Sequence, residues 1–432
     1  MITHFSSQCP GLHGPGSSTL VQEMSIACLV ESHSTLEIPV MQRRYCWGSS
    51  MLDRFWADTV SVAIERGPQD VRGSHRVGKA VFREREDNKK TLLVVDGQQR
   101  ITTSLLMCAA IRNELLTRVS LMPSMCEESK SVESWAHSNA RDAIKRLGHL
   151  LFNAEFHDSY LPSGAILNQS RLIPSFLDRA PFFAAITNKN CDTPSAITSA
   201  MSLFRNKAST LSTRQLVAAA SFADQVSIMA IYIQTENVNL SQVFQWLQES
   251  AISADKILYN PTPGMQFGNM DLIRNLTISH YVDRPSDELE SIYRMHWLPL
   301  ETLCKSQHSV FDDFLSLFLA AQKENETIRL ANQKQEIPHT NADSASSSAQ
   351  KASPGIIAPM PRLYGSRSKK SWKAAAPKKG IAESQQDGDI KLYTDFISWY
   401  QRKVFASSTI PRLNPVSVLD EMTAFAKTIL DE

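Results

Sequence analysis

The sequence predicts an α+β protein, a small α/β unit followed by a mainly helical domain, and three observations carry that expectation. Leu92, Leu93, Val94 and Val95 form a β-prone run too short for a helix, while Ile101, Leu105, Cys108, Ala109, Arg112 and Leu115 recur just after it at helical spacing. Three later stretches, 135–152, 195–204 and 213–222, repeat apolar residues every three or four positions. Val226–Ile233 alone in that region is rich enough in β-branched residues to read as a strand.

The elements follow in order. Residues 1–30 read as poorly ordered, with Gly11, Gly14 and Gly16 among Ser and Pro. Residues 31–118 form the α/β unit. Within it, Ile38-Pro39-Val40-Met41-Gln42-Arg43-Arg44-Tyr45-Cys46-Trp47 crowds a Gln, two Arg and two large aromatics behind a short strand. A helix carrying Leu52, Phe55 and Trp56 comes next, with Ser50 as its expected cap and Gly67-Pro68 as its stop. His75 to Phe82 is a Gly-containing turn running into a strand. Residues 119–321 are read as helical apart from Val226–Ile233, with helices at 240–250, 271–281 and 286–300 and Asp271 suited to an N-terminus. Residues 322–389 are Ser/Ala/Lys/Pro-rich and bury too little apolar area to offset chain entropy, so a disordered basic linker is expected. Lys369-Lys370 and Lys378-Lys379 are spaced like a nuclear-import signal, although a charge run of this kind is more often only a solvated linker. Residues 390–432 form two last helices, with Phe396, Trp399 and Tyr400 to pack back on the helical domain.

Composition narrows the class. At 432 residues with 42% hydrophobic content, two or three domains have ample core. Lys+Arg and Asp+Glu are 45 and 44, so no global basic field advertises nucleic acid. Seven cysteines without a Cys-x-x-Cys pair argue against a disulfide framework or structural zinc and fit reduced thiols. No apolar stretch reaches the ~18 residues of a membrane span, and residues 1–18 lack the pattern of a signal peptide. The expectation is an intracellular protein, nuclear or cytoplasmic, with no membrane partner.

Chemistry concentrates in Asp96-Gly97-Gln98-Gln99-Arg100-Ile101-Thr102-Thr103, which joins the apolar strand to the long helix. Gly97 permits a tight turn, and the first N–H groups of the helix face whatever lies above it, a natural anion site. Arg100 adds a planar fork suited to phosphate or carboxylate, and Asp96 suits a metal or the orientation of a nucleophile. A solvated strand-to-helix turn meets the same local physics. Together with the segments around Gln42 and His75, however, the residues predict one shared polar pocket.

These segments resemble the N-terminal domain of GmrSD-type modification-dependent restriction endonucleases, a ParB/sulfiredoxin-like fold. The likeness rests on Ile38 to Trp47, on Leu52, Phe55, Trp56 and Asp58, on His75 to Gly78, and on the octamer Asp96 to Thr103, all in the family's order. It continues through residues 171–178 and 243–248 and returns at Asp271-Leu272-Ile273-Arg274-Asn275. The resemblance implies a protein that binds and hydrolyses a nucleoside triphosphate (NTP), acting on or near DNA with a separate nuclease chain. By that implication Asp96, Gln98, Gln99, Arg100 and His75 are catalytic. Gln42, Arg43, Tyr45, Gly97, Arg100, Thr102 and Thr103 bind the nucleotide, and Asp96 holds Mg²⁺.

The chain departs from the pattern in places. Met41 stands where the family has Tyr, Lys79 replaces a small residue, and a longer loop containing Asn260 and Gly264 precedes Asp271. No counterpart of the His-Asn-His nuclease domain is visible, so the chain reads as the sensor/NTPase half. The alternative is a non-catalytic, nucleic-acid-associated binding or regulatory module that keeps the fold. A self-sufficient nuclease using the same pocket is the third reading.

Overall fold

In the computed structural model the described residues are 19–33, 35–67, 75–85, 88, 90–121, 132–153, 169–233, 243, 268–281, 284–304, 307–335, 381–405 and 414–430. Six strands form one mixed sheet: β1 (Thr19–Ser25), β2 (Thr35–Glu37), β3 (His75–Glu84), β4 (Thr91–Asp96), β5 (Leu172–Ile173) and β6 (Val226–Ile233). Their order across the sheet is β1-β6-β3-β4-β2-β5. β1 and β6 run antiparallel, as do β3 and β4, whereas β3/β6, β2/β4 and β2/β5 are parallel.

The run Leu92 to Val95 is apolar without alternation because both faces of the sheet are covered. Leu92 and Val94 enter one buried cluster with Ala80, Phe82, Ile228 and Ala230. Leu93 and Val95 enter a second with Val81, Ile231 and Ile233. The period of two in side-chain direction splits each strand between the two cores. The first core is closed by α1 (Ile26–Ser32), α4 (Gln98–Leu121), α5 (Val132–Leu151) and the helix Ala196–Ser209. The second is closed by the helices Asn269–Ile278, Leu298–Leu303 and His308–Gln335 and by the C-terminal pair Ile381–Phe405 and Pro415–Leu430. Phe396, Trp399 and Tyr400 lie buried there, in the same cluster as Val81 and Val95.

Several boundaries differ from the sequence expectation. The sheet is not confined to 31–118, because β1, β5 and β6 complete it from outside that span. Residues 19–30 are structured, against the expectation of poor order for 1–30. β1 pairs with β6 over seven positions, and Ile26, Ala27, Leu29 and Val30 bury one side of α1. The helix beginning at His308 runs on to Gln335, past the expected break at 322. Its added turns are mostly Lys, Glu, Gln, Arg, Leu and Ala, strong helix formers that need no core. Gln322 Nε2 donates to Glu421 and Arg402 pairs with Glu326, which tie this stretch to the last two helices. The last helices likewise begin before 390, at Ile381.

Three local readings also change. α2 (Ser49–Trp56) starts after Gly48 with no side-chain cap, so Ser50 is inside it. Asp271 sits in the first turn of Asn269–Ile278 and bonds Arg274, and Gly268 takes the cap position. The expected linker at 336–380 with its lysine pairs, the helix at 240–250 save residue 243, and the loop at Asn260 lie outside the described residues. Among the described residues, no helix is long and apolar enough to cross a membrane.

Candidate functional site

The octamer occupies the junction of β4 and α4. Gly97 has φ +95°, and a Cβ there would lie 2.6 Å from the Cβ of Ala80 on β3, so the turn rests directly on the neighbouring strand and only glycine fits. The same closeness explains Gly78. The β3/β6 ladder slips between Arg76 and Lys79, a bulge that aims Gly78 outward at φ +120°. The Arg100 side chain lies across it, with Nε 3.2 Å from where a Cβ would be, and Nη1 donates to the Lys79 carbonyl at 3.0 Å.

The segment 38–47 is laced onto the octamer through the backbone. Gln42 Nε2 donates to Val95 O at 2.6 Å, Gln98 Nε2 to Arg43 O at 3.1 Å and Gln99 Nε2 to Arg44 O at 3.1 Å. Gln99 Oε1 accepts from Cys46 N at 3.0 Å, so its amide closes a two-bond clamp on the Arg44–Cys46 stretch. Tyr45 reaches into the first core, where its hydroxyl and that of Thr103 are 2.7 Å apart. Thr103 Oγ1 donates back to Gln99 O. Thr102 is buried in the same helix. Burial pushes the Tyr45 phenol well up, so it stays neutral.

Of the residues expected to serve catalysis and nucleotide binding, Gln42, Arg43, Tyr45, Asp96, Gly97, Gln98, Gln99, Arg100, Thr102 and Thr103 thus come together. His75 does not. It opens β3 opposite Val226, six residues before the Val81 position that pairs with Asp96, roughly 15–20 Å along the strand. Gln98 Nε2, both polar ends of Gln99 and the hydroxyls of Tyr45 and Thr103 are spent on the scaffold. Asp96 is half-buried and ends the β4 ladder opposite Val81, and its carboxylate makes no hydrogen bond or ion pair among the described residues.

A second polar cluster adjoins the same segment. Arg274, fully buried, donates from Nε to Met41 O at 2.8 Å and from Nη2 to Asp271 at 2.6 Å, and lies 3.8 Å from Glu301. Its guanidinium also covers the Trp297 ring. Glu301 Oε2 accepts from Trp297 Nε1 at 2.8 Å and Tyr293 Oη at 3.0 Å, and its other oxygen faces Arg44 Nε at 3.5 Å. Asp178 closes the far side, accepting from Tyr45 N at 2.6 Å and Ser175 Oγ at 2.9 Å. Burial raises the Asp178 carboxyl against the pull of those two bonds. Burial likewise raises the Cys46 thiol, with Arg43 acting in the opposite sense. Sequence reasoning missed Asp178, Glu301 and Arg44. A Ser-x-x-Asp turn and a Glu four residues after Trp297 on an apolar helix were the available signals.

No group of three or more His, Cys, Asp or Glu side chains is placed to hold a metal among the described residues. A single carboxylate can still serve Mg²⁺, which keeps several waters and takes one or two carboxylates plus substrate oxygens. Asp96 is the residue that would supply it.

The GmrSD restriction endonuclease N-terminal domain matches residues 26–276, more than half of the chain. The chain belongs to that family. No curated protein matches it.

Proposed function

We propose that the β4–α4 junction binds a Mg²⁺-bound nucleoside triphosphate and hydrolyses it, in a protein that acts on or near DNA together with a separate nuclease chain. The observation that carries this reading is the division of labour in the octamer. Its two glutamines are engaged in holding the 42–46 segment, while the Asp96 carboxylate is left without a partner among the described residues, just before the start of α4, whose first turn carries Arg100. A carboxylate for a cation and an arginine for phosphate oxygens, held on rigid elements next to a helix N-terminus, are the parts phosphoryl transfer requires. Arg43, whose carbonyl is fixed by Gln98, adds a second guanidinium from the facing segment. DNA-related work is what membership of a restriction-endonuclease domain family supports.

One observation favours a second reading, a binding module without turnover. With both glutamine amides engaged on backbone, neither is spare to orient an attacking water. Incubation of the full chain with ATP, GTP, CTP or UTP and Mg²⁺, following phosphate release and, separately, binding by calorimetry, decides between them. Release that disappears in Asp96→Asn supports hydrolysis. Binding without release supports the module, and neither binding nor release refutes both.

A further inference from the structure

Arg44 stands apart from the other arginines around the site. Its carbonyl is gripped by Gln99 Nε2 at 3.1 Å, and the amide two residues on is gripped by the same side chain at 3.0 Å. Its Nε faces Glu301 at 3.5 Å, yet 43% of the side chain stays exposed, whereas Glu301 is 2% exposed. Backbone and stem are therefore both fixed while the outer part of the fork remains at the surface. Glu301 itself cannot turn, because Trp297, Tyr293 and Arg274 converge on its carboxylate. An arginine immobilised in this way loses little rotamer freedom on meeting an anion, and its planar fork matches a phosphate edge. Gln99, which holds the Arg44 carbonyl, lies in the first turn of α4, so the Arg44 backbone is anchored to the helix start.

We propose that Arg44 is a phosphate-contacting residue of the nucleotide site and that Glu301, which lies beyond the family-matched residues 26–276, is the positioning residue that aims it. The inference rests on the nucleotide reading above. It makes the helical part after residue 276 a component of the site, and it assigns a role to an arginine whose neighbour Arg43 is the one the family motif specifies.

The test is a double-mutant cycle read by calorimetry on the full chain, with each of the four NTPs and Mg²⁺ as probes. Arg44→Ala should weaken binding of the bound nucleotide by about tenfold to a hundredfold with only a small fall in melting temperature, since Glu301 loses one contact but keeps Trp297, Tyr293 and Arg274. Glu301→Gln, which keeps acceptors for Trp297 and Tyr293, should weaken binding several-fold, and in the Arg44→Ala background it should add nothing. A merely structural Glu301 would weaken binding equally in both backgrounds, and that result overturns its positioning role. Unchanged affinity in Arg44→Ala overturns the assignment of Arg44 while the nucleotide reading stands. If wild type binds none of the four, both fall together.

Discussion

Replacing Gln99 by Met tests whether the octamer's glutamines hold the fold or meet a ligand. The substitution keeps length and bulk and deletes both polar ends of a side chain that is 7% exposed. Two bonds are lost, to Arg44 O at 3.1 Å and from Cys46 N at 3.0 Å. A net hydrogen bond contributes about 1 kcal/mol, and a buried group left without a partner costs about 1–3 kcal/mol. The bond from Cys46 N is only part-buried, so the lower figure applies to that half. The sum is about 2–3 kcal/mol, well outside the about 0.5 kcal/mol of an ordinary surface change. Urea unfolding followed by tryptophan fluorescence reads it as a lower midpoint at constant slope. Asp96→Asn is the contrast, since that carboxylate has no partner among the described residues to lose, and its midpoint should stay where wild type has it. If Gln99→Met is as stable as wild type but loses nucleotide binding, the amide is a ligand group and the clamp argument is wrong.

The remaining expectations draw on other contacts. Gly97→Ala should destabilise by more than about 2 kcal/mol or abolish soluble expression, because φ +95° is strained for alanine and its methyl would meet Ala80 at 2.6 Å. Arg274→Met should cost about 3–5 kcal/mol in a denaturant titration, because it leaves Asp271 and Glu301 buried without their shared cation. Asp178, whose carboxyl burial raises above its unfolded value, binds its proton more tightly when folded. Its contribution therefore falls as pH rises through the window between the unfolded and folded values. The melting temperature of Asp178→Asn relative to wild type should accordingly climb from acid to neutral pH, and a constant difference would contradict the assignment.

How far the sequence carried the structure depends on the range of the interactions. The β4–α4 junction was legible because its signals are local: four apolar residues, a glycine at the turn and a 3.6-residue period within one short window. The closeness of the segments 38–47 and 96–103 was legible in the basic and hydrogen-bonding residues that each carries beside a strand. Their mode of contact was not, because a glutamine that bonds a ligand and one that bonds a distant carbonyl look alike in a string of letters. β1 escaped notice for a related reason. It is an edge strand whose order comes from β6, some two hundred residues away, and nothing within residues 19–25 records that pairing. The end of the helix His308–Gln335 was misplaced because a helix polar on all sides carries formers but no periodicity.

Glu301 shows the same limit at the site itself, and points to how the two halves are joined. Met41 O, Arg44, Asp271 and Arg274 come from the family-matched residues, yet Arg44 and Arg274 end on one carboxylate from Leu298–Leu303. The two cores meet across the sheet, with alternate residues of β3, β4 and β6 committed to each. A third tie crosses at Glu37, which accepts from Ser286 Oγ at 2.7 Å and pairs with Arg85 at 2.6 Å. Through these buried contacts the helices after residue 268 cannot shift against the sheet without moving the 38–47 segment that faces Asp96. A ligand that alters the position of that segment therefore has a direct mechanical route to the C-terminal helices.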